Sequence, residues 1–400
     1  MAGCHHENLL GPYVIFLSRS LAMPPYKIKY ASNSDRELWD EYVRKHPDAS
    51  LFHMFGWRDV FHRTYGHATY YLMAFDEEMD AAPRRAEGWR HSAESILGVL
   101  PLVHFKHIIF GNCLVSLPFV DGGGILASCR EGEEILLSEV IRLGRKTAAS
   151  RIELRHERLL ASCNDIGASC GESSRRPLQV ATRSDKVRML LSLPDSPEML
   201  MKSFKSKLRS QISKPLKEGL TSRTGGSELL EDFYKVFLVN MRDLGSPVHS
   251  MKLMRHVLGE FSECSKIVVI YNAEEPVAAA LVVGFKKVLR NPWASSLRKY
   301  ASLSPNMLLY LRVLEYACDN GYQVFDFGRS SAGEGTYKFK EQWGAVPAPL
   351  YWHYISLDGK LPNPESSGKE RFEKAMRYWQ KLPLVVTRVI GPSIRKHISL

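Results

Sequence analysis

The spacing of apolar residues switches repeatedly between a strand period of two and a helix period near 3.6, and the order of the switches occurs twice along the chain. In the first stretch a short strand at 27–30 leads to Ser34 and Glu37, an S-x-x-E pair ahead of Leu38, Trp39, Tyr42 and Val43. That pattern predicts a capped amphipathic helix ending before Pro47. Phe55, Trp57, Val60 and Phe61 give a second helix that stops near Gly66, and the aromatic-rich 69–75 gives a strand. The charged insert 76–95 reads as a solvated loop. Strands at 96–105 and 113–119, a glycine run at 122–124, a helix at 133–148, a strand at 151–155, a polar loop at 163–176 and a strand at 187–193 complete the stretch.

The second stretch repeats this order. Asp195 or Ser196 caps a helix that opens on Pro197, where the missing N–H costs nothing, and this strongly basic helix ends near Pro215. A strand at 220–224 precedes helices at 228–243 and 251–261, then a hairpin of 266–271 and 277–285. A strand near 293–297, a helix at 305–320 stopped by Gly321, a strand at 323–327, a Gly-rich loop, a short helix at 339–343 and a strand at 350–357 follow. Two such runs in tandem predict an α+β protein of two acetyltransferase-like (GNAT) modules, each a mixed, mainly antiparallel sheet flanked by helices. The expected divisions are an N-terminal extension 1–26, modules at 27–194 and 195–358, and a basic amphipathic tail 359–400. In such folds an acyl donor's phosphates or carbonyl sit at a helix N-terminus, where free N–H groups attract anions. Here the candidate positions are Gly122 to Gly124, before the first module's helix, and Ser304 to Asn306, before the second's.

Composition narrows the partners. A net charge of +11 favours phosphates of a substrate or cofactor, RNA, or an acidic membrane face. The seven cysteines show no paired zinc-type spacing and read as free thiols in a reducing cytosol, so no metal is expected. No apolar run approaches the roughly 18 residues that span a bilayer. The first 25 residues lack a signal-peptide pattern, and Met23 is an alternative start. The expected location is cytoplasmic, with peripheral contact at the inner membrane face through the tail.

Several segments resemble the FemAB family, and specifically the FemAB-like proteins associated with exosortase (PEP-CTERM) and exopolysaccharide systems. They are LVSLPF at 114–119 with the glycines at 122–124, IELR at 152–155, KLRSQISK at 207–214, NMRDLGSP at 240–247, FDFGR at 325–329 and FKEQWG at 339–344. The resemblance covers 27–357 and implies peptide-bond-forming chemistry on cell-envelope precursors. Aminoacyl-tRNA is the donor in the best understood members, and other acyl donors serve related ones.

The family's Phe-Lys motif maps onto Phe339 and Lys340, which implies that Lys340 stabilises the oxyanion of an acyl-transfer intermediate or holds a donor phosphate. Asp326 and Arg329 flank a strand end. Asp326 could orient Arg329 or take the proton of an attacking amine, and the bland alternative is a structural pair. Serine at 330 and the order of elements make SSAGEG (330–335) a poor coenzyme A loop. The basic helix offers Arg209 and Lys214; the resemblance places it at an inter-domain cleft, where Arg209 would meet a diphosphate, and a solvated face is the bland alternative. Gly123 and Gly124 could bring backbone N–H groups to a phosphate or mark a bulged strand end, and Asn306 opens the second module's helix. Tyr310, Tyr337 and Trp343 are candidate cleft aromatics, though such residues are more often core. Neither His249 nor Cys4 with its two following histidines acquires a role.

The combined reading is an N-acyltransferase without bound cofactor, using acyl-CoA or aminoacyl-tRNA as co-substrate. Its acceptor would be an amine on an amino-sugar or peptide, nucleotide- or lipid-linked. The rivals are an acetyl-CoA-dependent GNAT acetyltransferase and a non-catalytic RNA-binding or polysaccharide-assembly scaffold.

Overall fold

Strand residues that point alternately to opposite faces need both faces covered when both are apolar. The second half shows this directly. Ile267, Val269, Ala279, Leu281 and Val283 pack on one side of their sheet with Phe233 and Phe237, whereas Val268, Ile270, Ala278, Ala280 and Val282 pack on the other with Leu308, Leu311 and Leu314. The computed structural model describes residues 26–76, 92–107, 110–160, 178–359 and 368–399. The N-terminal extension to residue 25, most of the charged insert, and the polar loop with Cys163 and Cys170 lie outside them.

Fifteen strands form two sheets among the described residues. The first contains β1 (Tyr26–Tyr30), β2 (Ala68–Asp76), β3 (Ile96–His107), β4 (Gly111–Val115), β5 (Leu126–Ala127), β6 (Arg151–His156) and β7 (Gln179–Arg183). The second contains β8 (Lys186–Ser192), β9 (Thr221–Gly225), β10 (Ser265–Asn272), β11 (Glu275–Phe285), β12 (Val288–Ser296), β13 (Val324–Ser331) and β14 (Val346–Pro349). The last strand, β15 (Tyr351–Ser356), returns to the first sheet, where it lies between β6 and β7. The orders are β1-β2-β3-β4-β6-β15-β7, with β5 on β3, and β14-β8-β13-β12-β11-β10-β9. All neighbours are antiparallel except β4 with β6 and β12 with β13, one parallel pair in the same place in each sheet.

The helices are α1 (Arg36–Lys45), α2 (Gly56–Tyr65), α3 (Arg130–Lys146), α4 (Pro197–Ser203), α5 (Ser206–Lys217), α6 (Leu230–Asp243), α7 (Met251–Glu260), α8 (Pro305–Asp319), α9 (Gly335–Glu341), α10 (Gly368–Gln380) and α11 (Leu384–Arg395). Helix α3 packs on β2 and β3; α6 and α8 cover opposite faces of the second sheet. Trp57 of α2 meets Phe261, just beyond α7, with ring centroids 5.1 Å apart, so one apolar core runs through both halves.

The tandem α+β reading holds, with local differences. The strand expected to close the first unit is β8, which pairs with β13 and β14 of the second sheet; the strand expected to close the second is β15, in the first sheet. Their apolar patterns are interchangeable, so partner choice rests on long-range packing. The cap ahead of α1 is Ser32 rather than Ser34: its N–H and hydroxyl donate to the Asp35 carboxylate at 2.9 and 3.0 Å. The basic helix is broken into α4 and α5 by extended Phe204, whose ring is buried in the core.

Ile355 of β15 is fully buried in the first half's core. Ile355→Ala is expected to cost about 2–5 kcal/mol. With one shared core, circular dichroism and tryptophan fluorescence should report a single shifted denaturant transition.

Candidate active site

A parallel strand pair that stops being hydrogen-bonded partway leaves a wedge between its strands. β12 and β13 pair only from Val288 and Val324 to Arg290 and Asp326. Beyond that point β13 shifts register between Asp326 and Arg329, with Gly328 at φ +77°, a conformation glycine adopts without a Cβ clash. β4 and β6 end their pairing at Val115 and Glu153. The wedge between β12 and β13, the residues following β4 and Arg155 near the end of β6 line one cavity of about 390 Å³. The first half contributes Phe119, Asp121 and Arg155, and the second contributes Asn291, Trp293, Tyr310, Asp326, Arg329 and Lys340.

Lys340 comes off α9, behind the bulge. Its side chain is buried, and Nζ donates to the carbonyls of Gly328 at 2.9 Å and Arg329 at 2.8 Å. An ammonium has three N–H bonds, so one is left without a partner among the described residues. Burial pulls its pKa down to about 8, against the opposing pull of Asp326 and Asp121. Tyr310 of α8 accepts from Asn291 Nδ2 at 3.3 Å, and burial pushes its pKa up to about 12, so the phenol keeps its proton. Asn291 Oδ1, buried beside it, has no hydrogen-bond partner among the described residues.

Under the wedge lies a four-charge cluster. Glu157, the residue after β6, accepts from Arg290 of β12 at 2.8 and 3.0 Å and pairs with Arg188 of β8 at 2.8 Å. Asp326 of β13 pairs with the same arginines at 3.0 and 3.3 Å. The four side chains are 3–21% exposed. Burial raises the Glu157 pKa, but the two guanidiniums outweigh it and bring the carboxyl down to about 2. Asp326 also accepts from the Gly328 N–H at 2.8 Å, so the cluster grips the bulge that holds Lys340.

The candidates divide accordingly. Lys340, Asp326, Arg329 and Tyr310 line the cavity together. Asp326 does not pair with Arg329, because Arg290 and Arg188 occupy it; Arg329 instead meets Asp121 at 3.5 Å and lies 4.9 Å over the ring of Trp352. Phe339 packs on Tyr310 with centroids 5.3 Å apart, and Tyr337 is a partly buried neighbour of the same core. Trp343 is buried against Phe204.

The remaining candidates stand outside this cavity. Gly123 and Gly124 line a second one of about 330 Å³ and precede β5 rather than α3, so they do not form a helix N-terminus. Both are places where backbone packs closely: a Cβ on Gly124 would meet His156 Nε2 at 2.4 Å, and Gly123 has φ +94°. Asn306 is exposed on α8, and Arg209 and Lys214 are exposed on α5.

Sequence reasoning missed Asp121, Glu157, Arg188, Arg290 and Asn291, and also His249 and Arg395 of the cavity wall, where Arg395 Nε donates to His249 Nε2 at 3.1 Å. The available signal was an arginine inside an otherwise apolar strand, as in KVRMLLS and VLRNPW.

Residues 202–341 match the family model described as "Acetyltransferase (GNAT) domain". A crystal structure of FemX superposes with TM-score 0.57 at 14% identity, covering 82% of this chain and 96% of that one. The C-terminal domain of a protein designated a lysylphosphatidylglycerol synthetase, from Agrobacterium fabrum, superposes with TM-score 0.52 at 12% identity, covering 89% and 96%. No curated protein matches the chain. At these identities the likeness is one of fold.

Glu157→Gln would leave two buried guanidiniums facing one carboxylate and is expected to cost about 3–5 kcal/mol in urea unfolding. The sign with pH follows from the depressed pKa. The wild-type contribution is complete above the ordinary value of 4.5 and is lost as pH falls towards about 2. The variant should lack that component of acid destabilisation.

Proposed function

We propose that this protein is an N-acyltransferase whose reaction takes place in the central cavity. The observation that carries the reading is Lys340, buried and tied to both carbonyls of the β13 bulge, with one N–H left over in a wedge between separating strands. A carbonyl seated there would develop negative charge on its oxygen as an amine attacks, and the remaining N–H would meet that charge with little reorganisation. Because the donor is already activated, most of the rate gain comes from holding donor and acceptor together.

Three further groups suit the other steps. The amine nitrogen forms a bond to the carbonyl carbon and must shed a proton. Of the two cavity carboxylates, Asp326 is committed to two arginines and a backbone N–H, whereas Asp121 has the longer Arg329 contact, so Asp121 is the proton acceptor in this reading. As the bond from carbonyl carbon to leaving group breaks, Tyr310, oriented by Asn291, supplies a proton to the departing sulfur or oxygen. Arg329 and Arg395 at the wall suit an anionic part of either substrate.

The donor is an acyl-CoA thioester or an aminoacyl-tRNA ester, and the acceptor an amine of a cell-envelope or exopolysaccharide precursor. The fold likeness to FemX, and to a domain whose designation names an aminoacylated lipid, favours aminoacyl transfer. The match of 202–341 to an acetyltransferase domain favours the thioester. A panel of acyl-CoAs and charged tRNAs scored by thermal shift separates the two, since a ligand bound to the native state raises its melting temperature.

Lys340→Met is expected to lower turnover about 10²–10³-fold with the fold retained. Since the ammonium is the acting form, wild-type turnover should fall as pH rises through about 8. Lys340→Arg, charged throughout, should carry its residual activity to higher pH. A Lys340→Met enzyme with wild-type turnover, measured with the donor that shifts the melting temperature, would refute the assignment.

A further inference from the structure

Helix α11 is seated on the body of the protein by one face only. Thr387 and Gly391 are buried, Gly391 lies where a Cβ would meet Val248 Cγ1 at 3.0 Å, and Leu384 packs on the shared core. The helix is held at its far end as well. Lys396 O lies 2.8 Å from His67 Nε2, and Ser399 O accepts from Phe119 N–H and from Arg155 Nη2, each at 2.9 Å. Its register is therefore fixed, and so is the identity of its outer face.

That outer face is apolar. Val385 and Val389, one turn apart, are 74% and 67% exposed; Val386 and Ile390, the adjacent pair, are each 38% exposed. Tyr378, near the end of α10, is 72% exposed. Single exposed apolar residues are ordinary, but two complete i, i+4 pairs side by side form a stripe, and none of the described residues covers it. The charge carried by the segment of the stripe itself has one sign. Residues 381–399 contain Lys381, Arg388, Arg395 and Lys396 and no Asp or Glu. Lys381 and Arg388 are exposed, whereas Arg395 lines the central cavity; α10 adds exposed Lys374 and Arg377 against one exposed acidic residue among the described ones, Glu373. An apolar stripe bordered by cations matches the boundary of an anionic bilayer, where the side chains enter the acyl region and the cations meet lipid phosphates.

We infer that α11, with the end of α10, docks this protein on an anionic lipid surface. The helix is far too short to span, so the attachment is peripheral and reversible. Arg395 follows Thr387 and Gly391 on the inner face of the same helix and lines the central cavity, so the docked helix lies between that cavity and the lipid surface. The surface itself does not depend on the reaction assigned to the cavity.

The test is flotation of the full-length protein with vesicles of equimolar phosphatidylcholine and phosphatidylglycerol, against vesicles of phosphatidylcholine alone. The expected result is co-flotation with the anionic vesicles only, weakened by salt. Val385→Asp with Val389→Asp, and separately Lys381→Glu with Arg388→Glu, should each reduce binding by at least about tenfold. These side chains are exposed, so both variants should keep the wild-type circular dichroism spectrum. Absence of binding, equal binding to both vesicle types, or undiminished binding by the Val385/Val389 variant would overturn the inference. So would a wild-type dimer that Val389→Asp converts to monomer without vesicle binding, because the face would then belong to a second copy. Loss of transferase activity on every amine tested would count against the cavity reading and leave the flotation result standing.

Discussion

Two carboxylates and two guanidiniums, taken out of water together, decide how the halves of this molecule meet. Glu157 comes from the first half, Arg290 and Asp326 from the parallel pair of the second sheet, and Arg188 from β8 of that same sheet. No member can be neutralised or withdrawn cheaply, because the remainder would then hold an uncompensated charge in a place of low polarity. An apolar join of the same area would tolerate sliding, whereas bidentate contacts at 2.8 and 3.0 Å do not. The specificity of the docking comes from this cluster, and its affinity from the continuous core through Trp57, Phe233, Phe237 and Phe261.

The wedge inherits its geometry from the same charges. Asp326 receives the Gly328 N–H while its other oxygen meets the arginines, so the bulge cannot relax into a regular ladder. The bulge turns two consecutive carbonyls towards Lys340, and the hydrophobic contacts of Phe339 and Trp343 hold the short helix against Tyr310 and the second core. The position of the ammonium is thus set by backbone, and its burial strengthens each interaction it makes.

Much of this architecture was legible in the sequence. Elements whose identity depends on local periodicity were correctly read, such as the doubly buried β10 and β11 or α8 with Pro305 at its start and Gly321 after its end. Lys340, Asp326 and Tyr310 could be nominated because they lie on or beside short, distinctive segments. What escaped were relations between distant residues. Glu157 and Arg290 are 133 positions apart, and either one alone looks like a surface charge. The exchange of β8 and β15 was invisible for a related reason: each has a strand pattern that suits either sheet, and only the assembled halves discriminate. Asp326 and Arg329, neighbours in sequence, were an attractive pair that the bulge separates.

The exchanged strands also set a timetable. β6 and β7 of the first sheet have β15 between them, and β15 ends at Ser356, close to the end of the chain. A growing polypeptide therefore cannot complete its first sheet until the second half has left the ribosome, and the edge of β6 stays open throughout that interval. The second sheet, by contrast, lacks nothing beyond Pro349. Although the N-terminal half is made first, its sheet waits for the C-terminal half, and the two sheets receive their last strands almost together.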